Sequence, residues 1–176
     1  MNKINWALDP SHSEVGFKVK HLMITNVSGS FSTFNAEVSA SDETFNDADI
    51  TFTADIDSIS TNDANRDGHL KSADFFDVAN HPHLTIKASG LPGSGESRKL
   101  HGTMTLHGVS QPVALDVEFG GVTKDPWGNM KAGFSLNGKI NRKDFGLNWN
   151  SALETGGVLL GDEVKLHAEI QLVKKA

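Results

Sequence analysis

The sequence predicts an all-β fold, an eight-stranded antiparallel barrel with one short helix in a long loop around residues 61–75. Three observations predict it. Apolar and polar residues alternate in segment after segment, the segments number eight, and most connections after residue 84 are short. Alternation with a period of two is typical of a half-buried strand, because successive side chains point to opposite faces. Eight strands are enough to close a sheet into a barrel.

The predicted strands follow one another along the whole chain. Short connections at residues 92–95, 107–112 and 124–129 are rich in turn formers and imply antiparallel neighbours in a meander. The inward sets exceed what a solid barrel core needs, so the pattern predicts an apolar lumen. In chain order the inward residues are Val15, Phe17 and Val19; a weaker segment at 31–40; Ile50, Phe52, Ala54 and Ile56; Leu84, Ile86 and Ala88; Leu100, Met104 and Leu106; Val113, Leu115, Val117 and Phe119; Phe134, Leu136 and Ile140; and Val164, Leu166, Ala168, Ile170 and Leu172.

Two connections are long, and loops of that length are usually functional or structured. In the first, residues 60–83, Thr61 or Asn62 is predicted to cap a short helix that runs through Leu70. The apolar residues of this connection either fold across a barrel mouth or only close the core. The second connection, residues 141–159, lines the same mouth or covers an edge.

Length and charge exclude several classes of protein. A chain of 176 residues fits one domain, residues 1–176. With 22 acidic and 16 basic residues the formal charge is −6, which disfavours nucleic acid and also attachment to anionic lipid surfaces. The chain has no cysteine, so disulfides and thiolate chemistry are excluded. No stretch approaches the roughly 20 apolar residues of a membrane span.

The amino-terminal residues run directly into patterned sequence and lack the apolar core of a signal peptide. We therefore expect a cytoplasmic protein. If Met1 replaces a removed signal segment, the expected location is the periplasm.

Histidine and acidic residues raise the question of metal binding and catalysis. His81 and His83 flank a proline, and His12, His21 and His69 are further candidates, but the spacing of a metal-binding helix is missing, so we predict no metal and no cofactor. In Arg66-Asp67-Gly68-His69 an aspartate could orient a general base, or an Arg–carboxylate pair could pin the loop, and the second interpretation is favoured.

Arg142-Lys143-Asp144 offers two cations beside the second long connection. An arginine can receive a phosphate or pyrophosphate head group through its two-pronged fork. Equally, Arg142 could bridge to Asp144 or Asp162 and only fix the loop.

Eight motifs follow one another along nearly the whole chain. They are DPSHSEVGFKVKH at 9–21, GSF at 29–31, SIST at 58–61, RDGHL at 66–70, FFD at 75–77, GTMTLHGV at 102–109, INRKDFGL at 140–147 and GDEV at 161–164. In this order the motifs resemble the YceI family of lipocalin-like polyisoprenoid-binding proteins.

The resemblance implies a lipocalin-like barrel whose lumen accepts a long isoprenoid chain, and family members are often homodimers. We therefore expect non-enzymatic binding, storage or transport of an isoprenoid or similar lipid, such as a polyprenyl phosphate or a quinone. Two alternatives stay open: an enzyme acting on such a lipid through His69, Asp67 or His12, and a barrel with a solid core and a protein-binding exterior. The expected ligand-binding residues are Val15, Phe17, Val19, Phe31, Phe52, Phe75, Phe76, Met104, Leu115, Val117, Phe119, Phe134, Leu136, Arg142, Phe145 and Leu166.

Overall fold

A computed structural model of the chain describes residues 3–151, 153 and 159–175. The predicted connection at 141–159 is therefore described only in part. One α-helix, α1, spans Ala64–Lys71, and 3-10 helices span Pro10–His12, Ile56–Ser58 and Arg142–Phe145. The strands of the described residues are β1 Ile4–Leu8, β2 Glu14–His21, β3 Thr25–Phe31, β4 Phe34–Ala40, β5 Asp49–Asp55, β6 Ile59–Ser60, β7 His83–Ser89, β8 Ser97–Leu106, β9 Val109–Lys124, β10 Met130–Asn141 and β11 Leu160–Lys174.

The strands form one closed antiparallel barrel. Its wall has eight positions, because β1 and β2, β3 and β4, and β5 and β6 are each one wall strand interrupted by a break. Closure comes from β11, which pairs with β10 on one side and with both β1 and β2 on the other. The prediction of an eight-stranded antiparallel barrel is confirmed.

The break between β1 and β2 is held by Asp9. Its carboxylate caps the 3-10 helix by accepting from the Ser11 backbone N–H, and it lies 2.9 Å from His12 Nδ1. It also accepts from Lys131 Nζ on β10 at 2.6 Å, and both side chains of this pair are mostly buried. The Lys131 hydrogen bond and those of Ser11 and His12 hold the pKa of Asp9 well below its ordinary value of 3.8.

Helix α1 lies in the first long connection, as predicted, but its cap differs from the predicted one. Asp63, rather than Thr61 or Asn62, is extended and accepts from the backbone N–H groups of Asn65 and Arg66, each at 3.1 Å. Thr61 is committed elsewhere, because its hydroxyl and carbonyl oxygens both accept from Arg66. A carboxylate two and three residues before those N–H groups is the stronger cap here.

An aromatic cluster, consisting of Trp6, Phe45, Phe119 and Phe134, fills one end of the barrel. Phe45 lies 5.1 Å from Trp6 and 5.1 Å from Phe134, and Phe119 stacks on Phe134 at 5.0 Å, measured between ring centroids. The buried guanidinium of Arg98 lies 4.8 Å from the Phe119 centroid and donates to the backbone oxygens of Thr44, Leu91 and Gly95. This end of the lumen is therefore shut by packed rings.

We expect Asp9→Asn to lower the free energy of unfolding at neutral pH by about 2 kcal/mol, because it removes a buried charged partner of Lys131. Since the folded-state pKa of Asp9 is depressed below 3.8, its ionised form stabilises the fold above that pH. The stability difference between the two proteins should then narrow as the pH falls below 3.8. Urea unfolding across this range measures it.

The matched control is Asp116→Asn, which removes an exposed Lys99–Asp116 pair with the same 2.6 Å separation. Its expected cost is below about 1 kcal/mol. Equal costs for the two substitutions would contradict the structural role given to Asp9.

Candidate functional site

The barrel interior is hollow and contains two adjoining chambers. The inner chamber, between the aromatic cluster and the barrel's middle, has a volume of about 150 Å³. An apolar cavity of about that size stays dry in proteins and accepts apolar guests. Its lining is Val15, Gly16, Phe17, Phe31, Ala36, Val38, Phe45, Ile50, Phe52, Ala54, Leu84, Ile86, Leu100, Met104, Leu115, Phe134, Leu136, Asn137, Leu166, His167, Ala168, Ile170 and Leu172.

The outer chamber lies at the opposite end from the aromatic cluster, under α1 and the part of the second long connection that the structure describes. Its volume is about 380 Å³, within the range of small-molecule sites, about 300–1,000 Å³. The strands contribute mainly apolar side chains to its lining, and the two long connections add polar ones. The lining is Phe17, Val19, His21, Val27, Phe31, Thr61, Asn65, Arg66, His69, Leu70, Phe75, Phe76, Leu84, Leu106, Ile140, Arg142, Leu147, Trp149, Leu159, Leu160, Val164 and Leu166.

The two chambers meet at a ring of four residues that line both, Phe17, Phe31, Leu84 and Leu166. Phe17 and Phe31 are 5.7 Å apart between ring centroids. Phe17 lies flat against the wall over Gly29, its partner on β3, where a Cβ would overlap the ring. A glycine at this inward position therefore lets a large ring lie along the wall instead of across the lumen.

Arg142 is the buried cation of the outer chamber, 4% exposed, at the start of a 3-10 helix that follows β10. Its guanidinium donates to the carbonyl oxygens of Gly161, Leu147 and Trp149 at 2.6–2.9 Å. Its Nη2 has no hydrogen-bond partner among the described residues and lies 3.9 Å from Asp162 Oδ1. Burial lowers the pKa of Arg142, and Asp162 opposes that shift. A buried donor left open in this way suits an anionic or carbonyl oxygen.

The motif Arg66-Asp67-Gly68-His69 does not form the predicted Arg–carboxylate pair. Arg66 and Asp67 meet at Thr61 instead: the guanidinium donates to its oxygens and the carboxylate accepts from its N–H. The partner of His69 is Asp74, at 3.0 Å. The reason is the helix itself, since consecutive positions of a helix point in different directions.

His69 lines the outer chamber as part of an aromatic wall. Its ring centroid is 4.7 Å from that of Trp149 and 5.1 Å from that of Phe75. His12 is distant from it, bound to Asp9 on β1's side of the barrel. The three side chains considered for catalysis, His69, Asp67 and His12, are not brought together.

Clusters of three or more potential metal ligands do not occur within residues 3–151, 153 and 159–175. In the same part of the chain, no helix has the length and apolarity that crossing a membrane requires.

Most of the sequence-predicted site residues surround the chambers, and three lie elsewhere. Val117 and Phe119 face the end that the aromatic cluster fills, next to Arg98, and Phe145 is buried beneath the 3-10 helix at Arg142–Phe145. Those that line a chamber are Val15, Phe17, Val19, Phe31, Phe52, Phe75, Phe76, Met104, Leu115, Phe134, Leu136, Arg142 and Leu166.

Sequence reasoning placed Trp149 only within a connection that lines the mouth or covers an edge, and it did not name the β4 pair Ala36 and Val38 as lining residues. The alternation of β4 at Phe34, Ala36, Val38 and Ala40 carried a signal for the second group. Trp149 lies in an irregular segment, where no periodicity points to a face.

Comparison with known proteins gives consistent matches over nearly the whole chain. A family model described as the YceI-like domain matches residues 6–172. A UPF0312 protein of Staphylococcus aureus strain N315 is 38% identical over 168 residues, covering 95% of this chain and 96% of the relative.

Solved structures agree with this match. The YceI protein of Campylobacter jejuni is 36% identical, with a TM-score of 0.76 and 96% of each chain covered. A domain from Saccharophagus degradans, described as a polyisoprenoid binding domain, is 15% identical, with a TM-score of 0.72 and 97% and 98% of the two chains covered. This last likeness shows the fold.

We expect Phe17→Ala to widen the junction between the chambers and to speed the uptake of an apolar fluorescent probe, anilinonaphthalene sulfonate, in stopped-flow experiments. The substitution should also cost about 2 kcal/mol of stability, because a half-buried ring is lost. Phe34→Ala is the control, since Phe34 is also half-buried in the barrel but lines neither chamber. Equal uptake rates for the two variants would contradict the position given to Phe17.

Proposed function

The chain belongs to the YceI-like family, and on that premise we propose that it binds a long-chain isoprenoid or similar amphiphilic lipid in the lumen of its barrel. The observation that carries the proposal is the pair of adjoining apolar chambers, shut by aromatic rings at one end and bordered by polar groups at the other. The description of the Saccharophagus degradans domain as polyisoprenoid-binding supports this class of ligand. A polyprenyl phosphate or a quinone has the required polarity.

Energetics support a chain-like ligand. At roughly 0.8 kcal/mol per buried carbon, one five-carbon isoprene unit contributes about 4 kcal/mol before ordering costs are subtracted. Three or four such units correspond to affinity of nanomolar order before those costs are subtracted. Because this term depends on apolar contact alone, the length of the lumen selects the chain more strongly than polar contacts do.

The head group is proposed to lie in the outer chamber near Arg142. The open Nη2 of this buried cation is a donor for a phosphate or quinone oxygen. The carbonyl groups that hold the other nitrogens keep the guanidinium in place before a ligand arrives, so little side-chain entropy is lost on binding.

The proposed role is storage or transport without a catalytic step. The three side chains considered for catalysis, His69, Asp67 and His12, bind three different partners, Asp74, Thr61 and Asp9, so they do not form a joint acid–base site in the lumen. Residues 1–176 are proposed to act as one lipid-binding domain. The homodimer and the cytoplasmic location stay predictions, which light scattering and cell fractionation would check.

Native mass spectrometry with lipid extraction tests the proposal directly. Protein purified from its own host should carry a lipid, or take up geranylgeraniol when it is offered. A protein that does neither would contradict isoprenoid binding.

We expect Ala168→Phe to fill the inner chamber and to lower the affinity for geranylgeraniol by at least about tenfold, because two or more carbons lose their contacts. Ala168 lies on β11 and faces that chamber. The matched control is Ala114→Phe, an exposed position on β9, which should leave the affinity unchanged. Tryptophan quenching or competition with a fluorescent prenyl probe measures both, and equal effects would count against the inner chamber as the chain's site.

We expect Arg142→Gln to reduce the preference for a prenyl phosphate over the corresponding alcohol by roughly tenfold, since a charge-assisted hydrogen bond is lost. Lys143→Gln is the control, because Lys143 is the neighbouring exposed cation. Thermal unfolding checks that both variants fold, and Arg142→Lys, which keeps the charge, should lose less of the preference. An unchanged phosphate-to-alcohol ratio in folded Arg142→Gln would remove Arg142 from the head-group site.

A further inference from the structure

Large apolar side chains are exposed at the turn between β2 and β3, beside the outer chamber. Leu22, Met23 and Ile24, here called the apolar tip, are 39%, 51% and 76% exposed. The tip adjoins the chamber because His21 and Val27, on either side of it, line the chamber, and because the Leu22 N–H donates to the carbonyl of the lining residue Leu159. Adjacent large apolar side chains in water mark an interaction surface.

The backbone of the apolar tip is strained. Leu22 and Met23 have φ values of 55° and 62°, in the left-handed region that glycine and asparagine adopt most easily. The Ile24 N–H donates to the His21 carbonyl, so Leu22 and Met23 are the central residues of a tight turn within the three-residue loop between His21 and Thr25. Residues that avoid this strain would make the turn more stable in water, so the exposed apolar side chains come at a cost to folding.

A row of lysines lies on the outer wall next to the apolar tip. Strand register places Lys139, Lys165 and Lys18 directly opposite one another on β10, β11 and β2, and Lys20 follows toward the tip. All four are exposed, and none has an ion-pair partner among the residues that the structure describes. Neighbouring strands are about 4.8 Å apart, so like charges directly opposite repel. Glu163 is the exposed carboxylate nearest to this row on β11.

From the tip, the strain and the lysine row together, we propose that this side of the barrel docks on an anionic phospholipid bilayer, with the tip inserted among the acyl chains. The lysines complement the lipid phosphates, and the tip meets the apolar layer, an arrangement typical of interfacial binding. The mouth of the outer chamber would then face the bilayer surface. The lysine row is a local positive surface on a protein whose formal net charge is −6, and that net charge on its own disfavours such attachment.

Vesicle flotation tests the docking surface. Wild-type protein should float with vesicles of phosphatidylcholine containing about one third phosphatidylglycerol, and much less with phosphatidylcholine alone; added salt should weaken binding. Lys18→Glu with Lys165→Glu should lower partitioning at least about tenfold. Met23→Asn with Ile24→Ser should do the same, and asparagine tolerates the φ of the turn.

Two controls match these variants. Lys87→Glu with Lys124→Glu makes the same change in net charge at exposed lysines outside the row, and Trp127→Ser removes an apolar side chain, 83% exposed, from another turn. Both should float like wild type. Absence of flotation, salt-insensitive flotation, or an equal loss in the controls would overturn the proposal.

Light scattering tests whether the apolar tip binds a second copy of the chain instead of a membrane. A dimer that dissociates in Met23→Asn with Ile24→Ser, without any flotation of the wild type, would assign the tip to a second copy of the chain and overturn membrane docking. Binding of geranylgeraniol in detergent solution should be unchanged in every variant, which separates this inference from the proposed lumen function.

Discussion

Closure of the sheet through β11 is the constraint on which the rest of the structure depends. This strand pairs with β10 along one edge and with β1 and β2 along the other, so both of its edges are covered. Once the ring is closed, the period-two alternation of each strand assigns every side chain to the lumen or to the exterior. A slip of one residue in β11 would exchange the two faces, and the apolar lumen would be lost.

A closed eight-stranded ring has room for side chains or for a small ligand, and side-chain size decides between them. Here the space is divided by position along the barrel axis. At one end Trp6, Phe45, Phe119 and Phe134 fill it. Toward the other end, inward glycines such as Gly29 and Gly138 let Phe17 and Leu115 lie along the wall, since a Cβ at either glycine would overlap them. The hollow therefore results from small residues opposite large ones.

The alternation predicted the eight wall positions, because it depends only on which face of a strand is buried, but it did not mark β1 or the part of β3 before Phe31. The alternation did not predict where along the barrel axis each inward side chain lies. Val117 and Leu115 have the same inward orientation, yet only Leu115 lines a chamber, because Val117 is paired with Arg98 beside the aromatic cluster. The alternation also could not predict the contacts that loop residues make. Asp63 caps the helix instead of Thr61 because Thr61 binds Arg66 and Asp67, and those contacts depend on tertiary packing.

The distribution of charge on the barrel surface also could not be predicted from the sequence alone. Counted along the chain, the basic residues are scattered and outnumbered, 16 against 22. In the barrel, strand register places Lys18 opposite Lys165, although the two residues are far apart in the sequence. Lys139 on β10 lies opposite Lys165 on its other side. The electrostatic potential of a charge is screened over a Debye length of about 8 Å at physiological salt. An anionic surface near this wall is therefore attracted by the nearest lysines and hardly repelled by carboxylates on the opposite wall. Local field, rather than net charge, is therefore what decides how this wall meets an anionic partner.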